Sequence, residues 1–317
     1  MFTYRPGFKR NATVAALLLA AALVAAPAFS AQAPPNVAER LGHPPDARLL
    51  VIHADDLGMM RSVNRATFEA LQRGWVTSAS ILVPCPWFPQ VARFAREHPD
   101  ADLGIHLALN SEWTGYRWGP VLGGLQVPSL LDADGYLPLV QQEVIERAKP
   151  DEVERELRAQ IDRARAAGID ITHLDAHMGT AVMSPELFRV YQKLGGAYRV
   201  PVLLENQPPP GRPSAAGQSL VDRMLEMTPG VPPDRANLWL DAYKAMLAPL
   251  PPGVYQLIVH LGYDDEELRG ATWDHPDWGA RWRQADFDLV RSAEFQQFLR
   301  DEKFVLVSWR DLARARR

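Results

Sequence analysis

Short apolar runs alternate with amphipathic stretches along most of the chain, and this alternation limits the possible folds more than any other feature. The amphipathic stretches have the 3.6-residue periodicity of helices, most clearly at 61–73 and 151–167. The apolar runs are typical of buried strands and lie at 49–53, 78–83, 103–109, 171–178, 200–204, 254–260 and 304–307. Repeated strand–helix alternation predicts a parallel sheet covered by helices.

We therefore predict an α/β fold: a (β/α) barrel, irregular, with about seven strands and loop insertions. A doubly wound open sheet is the alternative, because periodicity does not decide whether a parallel sheet closes. The stretch 110–150 has no clear period and several aromatic residues, which suits a loop that covers a substrate; a solvent-exposed insertion without a role is the alternative. The stretch 207–233 is rich in proline and glycine and is predicted to be a second insertion. Further helices are predicted at 87–97, 184–195, 237–247 and 284–300, with a short basic helix at the end of the chain.

The beginning of the chain has the pattern of a secretory signal. Three basic residues precede an apolar run at 12–26, and Ala28 and Ser30 offer small side chains for cleavage. An uncleaved membrane anchor is the alternative, although the run is short for a bilayer span. We expect export to the periplasm or beyond, with no stable membrane insertion of the mature chain. The predicted organisation is a signal peptide at 1–30, an extended proline-rich leader at 31–47 and a single catalytic domain at 48–317.

Charge and cysteine content restrict the partners and the sources of stability. The formal net charge is −4 and there is no basic block, so we expect no nucleic-acid partner. Cys85 is the only cysteine. An exported chain with one thiol has no internal disulfide, so its stability must come from the core. These features indicate no particular oligomeric state.

Carboxylates and imidazoles stand at the ends of four predicted strands. The first run ends in Asp55–Asp56, the third contains His106, the fourth reads THLDAH over 172–177, and a late run ends in His260. Because the carboxyl ends of parallel strands meet on one face, we expect these side chains to lie together. Buried aspartates need a partner for their charge, and a divalent cation is the obvious one.

One aspartate and two histidines form a facial triad, which leaves coordination positions open for water and substrate. A metal in such a site activates water and polarises a carbonyl group. Hydrolysis also needs a base for the water and an acid for the leaving group. Asp55 and His260 fit these two roles. The residue pattern alone therefore indicates metal-assisted hydrolysis.

Several segments of the chain together resemble the YdjC-like carbohydrate deacetylases. They are HADDLGMMRSVNRATFEALQRGWVTSASILVP, DLGIHLALN, THLDAHM, VHLGYDD and FVLVSWRDL. The resemblance implies a barrel-like fold and metal-dependent removal of an acetyl group from an N-acetylated sugar or oligosaccharide. It also implies that Asp56, His106 and His177 are metal ligands, that Asp55 is the base and that His260 is the acid. One divalent ion is implied, with zinc as the first choice and magnesium or another divalent ion as alternatives.

The chain departs from the family pattern close to the implied site. Met178 and Gly179 stand where the family often has further histidines, and 203–206 reads Leu-Leu-Glu-Asn where an arginine is common. The family's His-Pro-Gly-Tyr is His-Leu-Gly-Tyr at 260–263. These changes bear on the choice of sugar more than on the reaction.

The roles of other polar and aromatic residues stay open between support of the site and ordinary packing. His173 and Asp175 either orient the metal ligands or make core hydrogen bonds, and His53 shares a strand face with Asp55. Four aromatic residues predict either a sugar-stacking wall or core packing: Trp273, His275, Trp278 and Trp282.

Three other functions are compatible with the same residues. The first is a periplasmic carbohydrate-binding protein with a structural metal, which needs no base. The second is a non-haem iron enzyme that uses the same triad. The third is a metal-dependent hydrolase of an amide that is not part of a sugar.

Overall fold

The computed structural model describes residues 35–207 and 219–315. The predicted signal peptide at 1–30 lies outside the described residues, as do the first residues of the leader and part of the second insertion. In the part of the chain that is described, no helix combines the length and the apolar character that crossing a bilayer requires.

The chain forms strands and helices in alternation, as the apolar runs predict. The strands are β1 (Arg48–Leu57), β2 (Ser78–Ile81), β3 (Leu103–Leu107), β4 (Ile171–Ala176), β5 (Arg223–Glu226), β6 (Gly253–Val259) and β7 (Phe304–Leu306). The helices are α1 (Val37–Arg40), α2 (Arg61–Arg73), α3 (Phe88–Glu97), α4 (Gln141–Arg147), α5 (Pro150–Ala166), α6 (Pro185–Tyr198), α7 (Ala236–Leu247), α8 (Glu266–Ala271), α9 (Ala280–Arg291), α10 (Ala293–Asp301) and α11 (Trp309–Ala315). Short 3₁₀ segments lie at Pro128–Leu130 and His177–Val182.

The strands pair in parallel, in the order β4-β3-β2-β1-β6-β5, with β7 beside the first residues of β1. The chain after α6 spans the gap between β4 and β5. There Val202 bridges Leu174 of β4, and Glu205 bridges Val221, just before β5. Because these bridges join the two ends of the sheet, the prediction of an irregular (β/α) barrel is confirmed over the doubly wound alternative. The predicted strand at 200–204 is reduced to this bridging segment.

Helix α5 shows how the amphipathic pattern builds the layer around the sheet. Its buried stripe is the one that the sequence predicts: Val153, Leu157, Ile161 and Ala164, all fully buried. Burying each of the three larger side chains contributes roughly 1.5–3 kcal/mol. Helix α2 has its predicted bounds because Gly74, with φ of 68°, ends it in the left-handed conformation.

Some elements differ from the predicted ones, and hydrogen bonds that composition does not reveal explain most of the differences. The leader is not extended throughout, because Asn36 and Glu39 form a capping box that starts helix α1. The single helix predicted at 284–300 is two helices, since Ser292 ends α9 and its side chain caps α10. Helices α4 and α8 lie in stretches where no helix was predicted, and β5 lies within the predicted second insertion.

Candidate metal centre and active site

The polar strand ends meet at the carboxyl edge of the barrel. Asp55 and Asp56 lie just before the last residue of β1, His106 lies in β3, and His177 and His260 directly follow β4 and β6. They line one cavity of about 400 Å³. One carboxylate oxygen of Asp56 and one ring nitrogen from each of His106 and His177 lie within 4.8 Å of one another. We call Asp56, His106 and His177 the cavity cluster. Their roles as metal ligands stay predictions.

Adjacent aspartates face the same cavity because the backbone of Asp56 leaves the strand conformation. Side chains alternate along a strand, so an ordinary strand would turn Asp56 away from the face that Asp55 shares with His53. Asp56 instead has φ of 65°, and the pairing of β1 with β2 shifts register between Ala54 and Leu57. A left-handed conformation outside glycine costs of order 1–3 kcal/mol and concentrates at functional sites.

The two oxygens of Asp56 have different surroundings. Oδ2 accepts a hydrogen bond of 2.7 Å from Nη2 of Arg283. Oδ1 is buried without a hydrogen-bond partner and lies 3.5 Å from both Nε2 of His106 and Nδ1 of His177. Although burial favours the neutral acid, Arg283 and the imidazoles hold the pKa of Asp56 well below its usual range. The side chain is therefore an anion with one uncommitted oxygen.

Each histidine of the cavity cluster is fixed by a carboxylate on its other ring nitrogen. Nδ1 of His106 lies 2.7 Å from Oδ1 of Asp175, and Nε2 of His177 lies 2.8 Å from Oε2 of Glu112. A carboxylate on the far nitrogen is the usual arrangement of metal-ligating histidines, because it sets the tautomer and the ring orientation. The remaining nitrogen of each imidazole and Oδ1 of Asp56 point toward one common position. This set of ligand atoms fits a divalent metal ion.

Asp55 lies between the cavity cluster and His260. Its Oδ1 is 3.1 Å from Nε2 of His53, while its Oδ2 is 3.7 Å from Nε2 of His106 and 4.0 Å from Nε2 of His260. The backbone N–H of His260 donates to Asp286 at 2.9 Å. Burial lowers the pKa of His260 to about 4, so its imidazole is neutral at pH 7. Because His53 engages Oδ1 of Asp55, Oδ2 is the oxygen that is available to a reacting group.

A second group of the same residue types lies beneath the cavity cluster; we call His53, His173 and Asp175 the inner cluster. Nε2 of His53 lies 3.0 Å from Oδ2 of Asp175. Burial opposes its charge, but the hydrogen bonds with Asp175 and Asp55 raise the pKa of His53 to about 10. His173 stacks on Trp309 at 4.8 Å and is fully buried. Asp175 thus orients a histidine of the cavity cluster, whereas His173 packs in the core.

Two regions that sequence reasoning treated as insertions supply walls of the cavity. The stretch 110–150 contributes Glu112, Trp113 and Gln141. The second insertion contributes Met224 and Glu226 from β5. The other walls combine apolar and aromatic side chains, including Met178, Val182, Leu203, Ile258 and Trp278. A polar floor with partly apolar walls is typical of a small-molecule site.

A family model described as YdjC-like protein matches residues 49–301. The chain belongs to the YdjC-like family. The resemblance found in the sequence motifs is thereby confirmed.

Named relatives of this YdjC-like chain are similar over nearly their whole length. A carbohydrate deacetylase of Thermus thermophilus is 36% identical over 297 residues, which is 88% of this chain and 99% of the relative. One of Brevibacillus brevis is 32% identical over 271 residues, 83% of this chain and 99% of the relative. The crystal structure of a putative cellobiose-phosphate cleavage protein from Enterococcus faecalis has a TM-score of 0.68 at 23% identity, covering 84% of this chain and 99% of that one. That last likeness supports the fold alone.

The sequence did not predict three residues that lie outside the strand ends and form hydrogen bonds with the residues of the YdjC-like site. Arg283 comes from α9, Glu112 from the long loop after β3, and Asp286 from α9 next to Arg283. No local pattern marks them, because each meets its partner through tertiary packing. Glu226 accepts a hydrogen bond from Nε1 of Trp278. It lies in β5, a strand that the sequence did not predict.

The predicted stacking wall of this YdjC-like chain is only partly present. His275 and Trp278 line the cavity. Trp282 does not: it is 1% exposed and packs edge-on against Trp239 at 4.8 Å, so core packing is the alternative that holds at this position. Trp273 is 72% exposed and lies outside the cavity.

Proposed function

We propose that this protein is a metal-dependent deacetylase that hydrolyses the acetamide of an N-acetylated sugar or oligosaccharide. The observation that carries the proposal is the uncommitted Oδ1 of Asp56, which faces two imidazole nitrogens at 3.5 Å on the floor of an accessible cavity. The names of the Thermus and Brevibacillus relatives support the choice of a sugar amide.

The ion would be held by Asp56, His106 and His177. Zinc is the first choice because two imidazoles and one carboxylate form a common catalytic zinc set, with magnesium or another divalent ion as alternatives. When bound, it supplies a Lewis acid that polarises the acetamide carbonyl and makes water more acidic. Arg283 holds the second oxygen of Asp56, so this carboxylate keeps one fixed orientation toward the ion.

The other residues of the cavity move the protons. Oδ1 of Asp55 is engaged by His53, which leaves Oδ2 to take a proton from the attacking water. Nε2 of His260 lies 4.0 Å from that oxygen and lines the same cavity. His260 is neutral at the outset; it receives from Asp55 the proton taken from water and delivers that proton to the nitrogen as the C–N bond breaks. The products are acetate and the free amino sugar.

Acetate release with metal add-back tests this proposal. The protein is stripped with a chelator, reloaded with zinc or magnesium, and assayed on N-acetylated mono- and oligosaccharides. Acetate should appear only with the loaded protein. Asp55→Asn is the matched control, because it should keep the metal by elemental analysis while turnover falls by about 10²–10⁴-fold.

Other outcomes would point to the other functions. Tight binding of a sugar without any acetate release favours a carbohydrate-binding protein with a structural ion. Bound iron with oxygen-dependent turnover favours a non-haem iron enzyme. Hydrolysis of simple amides but of no sugar would reject the carbohydrate as substrate.

A further inference from the structure

Helix α5 carries three polar side chains on the face that it turns toward the protein interior. Glu152, Glu156 and Gln160 follow one another at four-residue spacing, so they lie in a row along one side of the helix. All three are buried, and Glu156 and Gln160 have no exposed surface. Burying a carboxylate is costly unless it is paired or hydrogen bonded, so the partners of this row indicate what it holds in place.

Glu156 and Gln160 bind backbone groups at the two ends of one loop segment. At its beginning, the Gln160 amide accepts from the backbone N–H of Ala108 at 3.0 Å and donates to the Ala108 carbonyl at 2.8 Å. At its end, the two oxygens of Glu156 accept from the backbone N–H groups of Val121 and Leu122, at 2.8 and 2.9 Å. Nε2 of Gln160 also donates to Glu156 at 2.8 Å. Both ends of the segment are therefore held by one pair of linked side chains.

The segment between these anchors, residues 108–122, contacts the proposed metal ligand His177 at two places; we call it the anchored segment. Oε2 of Glu112 lies 2.8 Å from Nε2 of His177. The indole of Trp118, which is buried, packs against the same imidazole with 5.8 Å between the ring centroids. Glu112 and Trp118 lie in neither a helix nor a strand, so the course of the anchored segment sets both contacts.

We propose that Glu156 and Gln160 are positioning residues that fix the orientation of His177. They act through the anchored segment, whose Glu112 sets which nitrogen of the imidazole is directed at the ion. The inference rests on the ion site of the proposed function and extends that site to α5, a helix that contributes no lining residue to the cavity. Because the effect passes through hydrogen bonds to the backbone, neither residue has to touch the ion or the substrate.

The test measures the Kd of zinc in Glu156→Gln, by competition with a chelator, at a temperature at which circular dichroism shows the variant to be folded. The substitution keeps the volume of the side chain but replaces one acceptor oxygen by an NH₂ group, which then faces a backbone donor. We expect the Kd of zinc to rise about tenfold. Glu154→Gln is the matched control and should leave this Kd unchanged, since Glu154 of the same helix pairs with Arg158 and Lys193 instead of the anchored segment.

A double-variant cycle separates positioning from a loss of stability. If Glu156 acts through Glu112, zinc should bind Glu112→Gln/Glu156→Gln no more weakly than it binds Glu112→Gln alone. Gln160→Met removes both hydrogen bonds to Ala108 at similar volume, and we expect the same rise in Kd, so it replaces Glu156→Gln if that variant does not fold. A lower melting temperature with an unchanged Kd in the folded variants would overturn the proposal, as would effects on the Kd that multiply in the double variant.

These measurements distinguish failure of the positioning role from failure of the proposed function. If wild type binds zinc but releases no acetate from any sugar, the proposed function fails, and the comparison of Kd values still decides the role of Glu156. If wild type binds no divalent ion, nitrogen NMR of the His177 imidazole in the metal-free protein decides it. Imidazole signals that shift in Glu156→Gln but not in Glu154→Gln support the positioning role, and unchanged signals reject it.

Discussion

The cavity cluster and the inner cluster contain the same kinds of side chain, but their carboxylates are satisfied differently. In the inner cluster both oxygens of Asp175 are engaged, one by His106 at 2.7 Å and the other by His53 at 3.0 Å. In the cavity cluster Asp56 keeps one oxygen without a partner. Histidines and aspartates in strands therefore become ligands or core residues according to which atoms their neighbours leave unpaired and whether those atoms reach a cavity.

Removing a histidine of the cavity cluster should have the largest effect. We expect His106→Ala to lose the metal, measured by elemental analysis, and to lower kcat/KM by about 10³-fold or more, because both water activation and carbonyl polarisation disappear. His98→Ala removes an imidazole far from the site and serves as the control. Full metal occupancy in His106→Ala would remove His106 from the ligand set.

Neutralising the carboxylates that bind the far ring nitrogens of His106 and His177 should have an intermediate effect on metal binding. Asp175→Asn and Glu112→Gln each keep the shape of the side chain but lose its charge on the far nitrogen of a ligand. We expect metal affinity to fall by about 10–100-fold in each, measured by competition with a chelator. Asp175→Asn should also lower the melting temperature, since it leaves His53 without one of its carboxylates. Unchanged metal affinity in both variants would mean that the carboxylates of Asp175 and Glu112 do not affect how His106 and His177 bind the metal.

The smallest effect on the site should come from His173, through the contact it makes with Gly104. A Cβ at Gly104 would come within 2.3 Å of the His173 ring, which is itself held against Trp309. We expect Gly104→Ala to cost about 1–3 kcal/mol of unfolding free energy, with unchanged metal content.

The double variant Gly104→Ala/His173→Ala sharpens this prediction. Because His173→Ala removes the group that the new methyl strikes, the two costs should add to more than the cost of the double variant, as measured by chemical denaturation. Strict additivity would show that the ring moves aside freely. Loss of metal from His173→Ala would make the inner cluster part of the metal site.

The sequence predicts the barrel and the meeting of its polar strand ends well, since both depend on patterns that repeat locally. Helix α2 has its predicted bounds, and Asp55, Asp56, His106, His177 and His260 line one cavity. Strand β5 was missed because its outer residues are charged and exposed, and its pairing with β6 supplies order that composition does not show. Arg283 was missed because it lies 227 positions from Asp56, and only packing of α9 makes them neighbours.

The left-handed backbone at Asp56 lets two consecutive carboxylates face one cavity. Consecutive Cα atoms are held about 3.8 Å apart by one planar peptide. The residue proposed to hold the ion and the residue proposed to accept the proton are therefore joined by one peptide bond, so their Cα spacing does not depend on how separate segments pack. Aspartate tolerates this conformation better than most residues, so a single peptide unit can separate the proposed metal ligand from the proposed base.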